Sequence, residues 1–125
     1  MTSPVEVVTA YFAAVTAADA KAVADLFAPD AVLHNAAGTL NGADAIGRMY
    51  ENGLAPGAMT PTPKRFVVDG ESVAVEIDLV ANGSAVTLGD FFTVRNGKIE
   101  RLAIYSLTPT DGRLFDKVGV DPGPA

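Results

Sequence analysis

The sequence predicts an α+β fold in which three helices near the N-terminus pack on one face of a curved, mostly antiparallel sheet. Apolar residues recur at helical spacing early in the chain, whereas the second half alternates as strands do. Tight-turn pairs separate those alternating runs, at Asp69-Gly70, Asn82-Gly83 and Asn96-Gly97. Because a strongly curved sheet is hollow at its open end, we expect it to enclose an apolar pocket.

The first helix has a complete start signal. Ser3 can cap it, Pro4 occupies its first turn and Glu6 completes a capping box. Tyr11 lies beside the apolar stripe that follows. The pattern predicts a helix that runs to about Ala17 and lines the pocket.

A second, shorter helix and a short strand follow. Asp19 can cap this helix, which carries Phe27 on its inner face, and Pro29 is expected to stop it. Residues 31–35 then alternate as a strand.

A third helix and a meander complete the prediction. Asn41 or Gly42 starts the helix, which contains Met49 and Tyr50 and has Gly53 as its C-terminal stop. The three turn pairs then imply four antiparallel strands, at approximately 64–68, 72–81, 84–95 and 98–107.

Length and composition restrict the classes of function. The 125 residues predict a single domain, 1–125, with a loose tail over 116–125. The chain has no cysteine, which excludes disulfides and thiolate metal sites, and one histidine, His34, which argues against a zinc or iron centre. We therefore expect no metal centre.

Charge and hydropathy bear on the partners. The formal net charge is −6, and the nine basic residues form no stripe, which argues against a nucleic-acid partner. The apolar stretches are too short to span a bilayer, and no charged segment precedes an apolar one at the N-terminus. We expect a cytoplasmic protein without a membrane partner that binds a small apolar ligand.

Asp90 is the most informative residue for function. The run from Val86 to Val94 alternates, which puts Asp90 between Leu88 and Phe92 on one apolar face. Burial there raises the pKa of a carboxyl group, so Asp90 can stay protonated at neutral pH and donate a hydrogen bond. Such a donor suits an enzyme that holds a developing oxyanion. The alternatives are a structural acid bonded to a neighbouring backbone group or hydroxyl, and an acid that reaches water because the strand is twisted.

Together with Asp90, three further residues carry a family resemblance: Tyr11, Asn35 and Tyr50. From about Val5 to Leu107 the chain resembles the bacterial ketosteroid isomerases of the NTF2-like, or SnoaL-like, superfamily. Its local marks are Thr9-Ala10-Tyr11, Leu33-His34-Asn35-Ala36-Ala37-Gly38, Met49-Tyr50-Glu51-Asn52-Gly53-Leu54 and Leu88-Gly89-Asp90-Phe91. The resemblance implies an NTF2-like cone, a homodimer, and a steroid Δ-isomerase that moves a proton from C4 to C6 with no metal or cofactor.

The resemblance also implies roles for these residues. Tyr11 and the protonated Asp90 would donate hydrogen bonds to the steroid's 3-oxygen, and Tyr50 would position Tyr11. Asn35 occupies the place of the family's aspartate general base, and an amide cannot accept and return a proton at a useful pKa. The chain is therefore either a natural relative with lost or changed activity or an active enzyme altered from Asp to Asn. The intact donors favour the second interpretation.

The expected pocket wall follows from the strand faces and the helices. Its members are apolar and would look the same in an ordinary aliphatic core: Phe27, Met49, Met59, Val75, Ile77, Leu79, Leu88, Phe92, Leu102 and Ile104.

Other assignments remain open. The Tyr11 hydroxyl could lie at the surface, Tyr50 could simply pack in the core, and Asn35 could cap the turn that follows it. Two other functions compete with the isomerase: a cyclase-like or hydratase-like SnoaL relative in which Asp90 is ionised, and a non-enzymatic binder of a hydrophobic small molecule.

Overall fold

A computed structural model describes residues 2–81 and 83–107, which form three helices and six strands. The helices are α1 (Pro4–Thr16), α2 (Ala20–Asp25) and α3 (Ala43–Gly53). The strands are β1 (Phe27–Asn35), β2 (Gly38–Asn41), β3 (Met59–Asp69), β4 (Ser72–Ala81), β5 (Ser84–Arg95) and β6 (Lys98–Ser106). Asn82 of the second turn pair and the predicted tail over 116–125 lie outside the described residues.

The six strands form one mixed, curved and unclosed sheet in the order β2-β1-β6-β5-β4-β3. β1 and β6 are parallel, and the other neighbours are antiparallel. The helices pack on this sheet, and buried apolar side chains from both layers form a single core cluster. The α+β prediction is therefore confirmed, including helices on a mostly antiparallel sheet.

The predicted helix signals have the expected geometry. The Ser3 hydroxyl accepts from the Glu6 backbone N–H at 3.2 Å, and the Glu6 carboxylate accepts from the Ser3 N–H at 3.1 Å, which completes the capping box. The Asp19 carboxylate accepts from the Ala22 N–H at 3.1 Å. Gly42 precedes α3 with φ +93°, a backbone angle that favours glycine.

The prediction around Pro29 was wrong. α2 ends at Asp25, and Phe27 is the first residue of β1 rather than part of a helix face. Pro29 lies inside β1. The pairing of β1 with β6 is interrupted between Phe27 and Val32, and the pairing of β1 with β2 begins only at Val32. Because no regular ladder bond is required of Pro29 there, its missing N–H is tolerated.

The strands on the two sheet edges were also predicted incorrectly. β2 was not predicted, although its four residues pair with β1. β3 begins at Met59 rather than near residue 64, because Pro61 and Pro63 belong to the strand. Since β3 is an edge strand, a proline on it can leave its unpaired side toward the sheet margin.

Candidate functional site

A cavity lies between α1, α3 and the inner face of the sheet. Its volume is about 50 Å³, so the cavity is small. It is lined by most of the predicted site residues: Tyr11, Asn35, Met49, Tyr50, Met59, Ile77, Leu79, Leu88, Asp90 and Ile104.

Four predicted wall residues do not line this cavity: Phe27, Val75, Phe92 and Leu102. All four are buried in the core. The cavity occupies one end of the sheet, so Ile77 and Asp90 reach it while Val75 and Phe92, two residues further along the same strand faces, pack beneath it. Alternation identified the correct strand face but not how far along the strand the cavity extends.

Three lining residues were not predicted for the site: Phe12, Val15 and Pro61. Val15 lies one helical turn after Tyr11 on α1, so the helical period could have identified it. Pro61 lies on the part of β3 that the sequence did not reveal as a strand.

The Tyr11 and Tyr50 hydroxyls form a buried hydrogen bond at 2.5 Å, which joins α1 to α3. Burial raises the pKa of Tyr11 well above its ordinary value, and the neighbouring Tyr50 and Asp90 raise it further. Burial likewise raises the pKa of Tyr50. Both hydroxyls therefore keep their protons at neutral pH. Whichever hydroxyl accepts from the other still has its own proton to donate into the cavity.

Among the described residues, Asp90 is the one buried residue with an acidic or basic side chain, and 3 % of its surface is exposed. Its Oδ1 has no hydrogen-bond partner in the part of the chain that the structure describes. Burial raises the pKa of this carboxyl group from 3.8 to about 8. At neutral pH Asp90 is therefore mostly a neutral acid, with one proton to donate.

Asn35 lines the same cavity at the end of β1. Its side-chain Oδ1 accepts a hydrogen bond from the Ala37 backbone N–H at 2.9 Å, which forms the tight turn into β2. The predicted turn-capping interaction is thus present. The side chain does two things at once, since the residue both shapes the turn and lines the cavity.

These groups together form a small apolar cavity with polar groups that donate hydrogen bonds. Such an arrangement can bind an oxygen that carries negative charge, because donors in surroundings of low polarity stabilise an anion strongly. No group of three or more His, Asp or Glu side chains among residues 2–81 and 83–107 is placed to hold a metal ion. Within the same residues, no helix has the length and hydropathy to cross a membrane.

Comparison with known proteins gives a family match. The sequence profile of the SnoaL-like domain matches residues 8–102. A search of the curated proteins found no match.

Solved structures of the NTF2-like fold resemble the chain over most of its length. A candidate polyketide cyclase from Sinorhizobium meliloti is 33% identical, with 79% of this chain and 93% of that chain covered and a TM-score of 0.72. A candidate ketosteroid isomerase from Kribbella flavida is 22% identical, with coverage of 86% and 82% and a TM-score of 0.71. A Catenulispora acidiphila protein of ketosteroid isomerase-like fold, bound to trimethylamine, is 22% identical, with 99% of each chain covered and a TM-score of 0.73.

Proposed function

The chain belongs to the SnoaL-like domain family, and we propose that its cavity binds the enolate or phenolate oxygen of a flat apolar molecule through Tyr11 and the neutral Asp90. The specific activity we propose is that of a steroid Δ-isomerase whose proton-transfer base has been replaced by Asn35. The observation that supports this proposal best is the buried carboxyl group of Asp90, which lines the same cavity as Tyr11 and has an oxygen without a hydrogen-bond partner among the described residues.

Each polar residue has a separate part in this proposal. Tyr11 and Asp90 donate to the 3-oxygen of a 3-oxo-Δ5-steroid, where negative charge develops when a proton leaves C4. Tyr50 holds the Tyr11 hydroxyl in place through their shared hydrogen bond. The apolar wall excludes water, which keeps both donors effective.

Proton transfer from C4 to C6 needs a base, and the amide of Asn35 cannot accept a proton. An aspartate at position 35 could still accept the Ala37 N–H, because a carboxylate oxygen replaces the amide oxygen of Asn35. That hydrogen bond favours the ionised form, so the new carboxylate would be a competent base at neutral pH. The chain as it stands should bind the ligand and turn it over slowly.

The test is isomerisation of 5-androstenedione, followed by ultraviolet absorbance, with the unaltered chain and with Asn35→Asp. We expect Asn35→Asp to be faster by at least about 100-fold, the scale of a general-base contribution. Asn41→Asp is the matched control, since it makes the same charge change at an exposed site on β2. A folded Asn35→Asp variant that is no faster than the control would contradict the isomerase assignment.

A cyclase of the SnoaL-like family is the second candidate. Two observations favour it: the 33% identity to the candidate polyketide cyclase, and a pKa of about 8 for Asp90, which allows proton exchange near neutral pH. In this alternative the Asp90 carboxylate removes a proton from carbon between two ketones. The resulting enolate carbon bonds to a ketone carbon of the same chain, and that ketone oxygen takes up the proton.

Asp90→Asn separates the two candidates, because an amide still donates a hydrogen bond but cannot exchange a proton. For the isomerase, Asp90→Asn in the Asn35→Asp background should retain measurable activity, whereas Asp90→Leu should lose far more. For the cyclase, both changes at Asp90 should abolish aldol ring closure of a linear polyketone.

We also propose that two copies of the chain pair through the outer face of the sheet. Apolar side chains on this face are about half exposed, and the Phe91 and Tyr105 rings pack edge-to-face at 5.5 Å beside Val67 and Leu107. Exposed apolar groups of this kind are typical of interaction sites. Sedimentation equilibrium should find a dimer for the unaltered chain and a monomer for Phe91→Glu.

A further inference from the structure

The hydrogen bond of Asn35 determines which of its polar atoms remains for a ligand. A backbone N–H can only donate, so the atom that contacts Ala37 is the carbonyl oxygen Oδ1. The amide nitrogen Nδ2 carries two further donors, and the structure gives it no partner within residues 2–81 and 83–107. Because Asn35 lines the cavity, a donor is what it can offer a ligand there.

The strand register places this donor well apart from Asp90. His34 on β1 is level with Ala103 on β6, so Asn35 follows beside Ile104, which is itself paired with Asp90 on β5. Neighbouring strands lie about 4.8 Å apart, so the backbones of Asn35 and Asp90 are separated by roughly 10 Å. Ile104, between them, also lines the cavity. The two polar ends are therefore separated by an apolar floor.

The small size of the cavity limits what can bridge the two ends. A cavity volume of about 50 Å³ favours a thin molecule over a bulky one. The side chains of Met49 and Met59 in its wall are flexible and can adapt to a ring. Every polar group that the cavity presents at neutral pH, at either end, has a proton to donate.

We propose that Asn35 is a specificity residue that donates a hydrogen bond to a second oxygen of the ligand. The cavity then selects flat, ring-based molecules with an enol or phenol oxygen at the Tyr11–Asp90 end and an uncharged acceptor oxygen, a ketone or an ether, at the Asn35 end. This inference rests on the proposed function, because it takes the Tyr11–Asp90 end as the binding site of the first oxygen.

The test compares two ligands of similar size, 6-methoxy-2-naphthol and 6-ethyl-2-naphthol, by fluorescence titration of the full chain at neutral pH. The methoxy compound alone has an acceptor oxygen opposite the phenol. We expect the unaltered chain to bind it about fivefold more tightly, the scale of one hydrogen bond between uncharged groups. In Asn35→Asp, which keeps an acceptor for Ala37 but has no donor when ionised, the preference should disappear. Asn41→Asp should retain it.

Equal binding of the two naphthols by the unaltered chain, or a preference that persists in Asn35→Asp, would overturn the proposal. Asp90→Leu distinguishes this failure from failure of the proposed function. If Asp90→Leu weakens binding of 6-ethyl-2-naphthol, the Tyr11–Asp90 end binds the phenol and the role of Asn35 alone is wrong. If neither naphthol binds the folded chain, or if Asp90→Leu has no effect, the proposed function falls and this inference falls with it.

Discussion

The two faces of the sheet place acidic side chains in opposite surroundings. On the outer side and at the margins of the sheet, carboxylates form ion pairs with basic side chains. Lys64 contacts Asp78 at 3.3 Å. Arg95 contacts Glu71 at 3.2 Å and Glu100 at 3.1 Å. These side chains are about one third to one half exposed. On the inner face, Asp90 has no cation and an oxygen without a partner among the described residues.

The difference shows that surroundings, rather than residue type, decide what a carboxylate can do. Glu71 is half exposed and paired with Arg95, and an exposed ion pair of this kind contributes little to stability. Burial favours the neutral form of Asp90. It lowers the free energy of unfolding at neutral pH and leaves a protonated carboxyl group that can donate a hydrogen bond. This cost is expected where a residue serves ligand binding.

The largest expected effect is on the pH dependence of stability, tested with Asp90→Asn. Because the folded state holds the Asp90 proton up to about pH 8 while the unfolded chain releases it near pH 4, the free energy of unfolding should fall as pH rises between those values. Asp90→Asn lacks this contribution. The difference in the free energy of unfolding between the two proteins should therefore change by about 1.4 kcal/mol per pH unit. Urea denaturation from pH 4 to pH 9 measures it. Parallel pH profiles for the two proteins would contradict a raised pKa.

A second comparison uses neighbouring phenylalanines on opposite faces of β5. Phe92 is buried and packs edge-to-face on Tyr11 and Phe12, whereas Phe91 is 51% exposed. Phe92→Ala should lower the free energy of unfolding by about 3–5 kcal/mol, as expected for a large cavity in a core. Phe91→Ala should change it by about 0.5 kcal/mol when measured at concentrations at which the chain is monomeric. Similar losses from the two changes would mean that the inner face is not the core.

A smaller effect is expected at the tyrosine pair. Tyr50→Phe leaves the buried Tyr11 hydroxyl without its partner, which should lower the free energy of unfolding by about 1–3 kcal/mol. Tyr105→Phe removes the same atom from a side chain that is 59% exposed and should have almost no effect. Guanidinium denaturation of both variants makes the comparison, and equal losses would argue against a stabilising Tyr11–Tyr50 hydrogen bond.

The smallest effect is expected on the outer surface. Arg95→Gln removes the contacts with Glu71 and Glu100 and should lower the free energy of unfolding by less than about 1 kcal/mol. Because exposed ion pairs are screened, the difference should vanish in about 1 M salt. A large difference that persists in salt would show that these contacts are stronger than exposed pairs normally are.

Local signals in the sequence were sufficient for much of the fold. Ser3 and Glu6 form the predicted capping box because both interactions lie within one helical turn. Gly70 and Gly97 adopt positive φ angles at the predicted turns, so the order of β3 to β6 follows directly. Alternation in β5 also placed Asp90 on the buried face, since the side-chain period of a strand is two.

Features that depend on distant pairing were not predictable in this way. Pro29 was expected to stop a helix, and residues 59–63 were not predicted as strand. Only the position of each strand in the finished sheet explains why Pro29 and Pro63 are tolerated. The extent of the cavity along β4 depends on how α1 and α3 pack across it, which no local pattern encodes. The orientation of the Asn35 amide likewise depends on the turn to Ala37.

The prolines of β3 have a further consequence, for behaviour at high concentration. A sheet that does not close has two margins where another chain could add a strand and begin a stack of molecules. One margin, β2, is only four residues long, and the other carries Pro61 and Pro63, which offer no N–H to an incoming strand. The chain can thus keep a cavity open at the end of its sheet without offering the sheet's edges as a template for fibres.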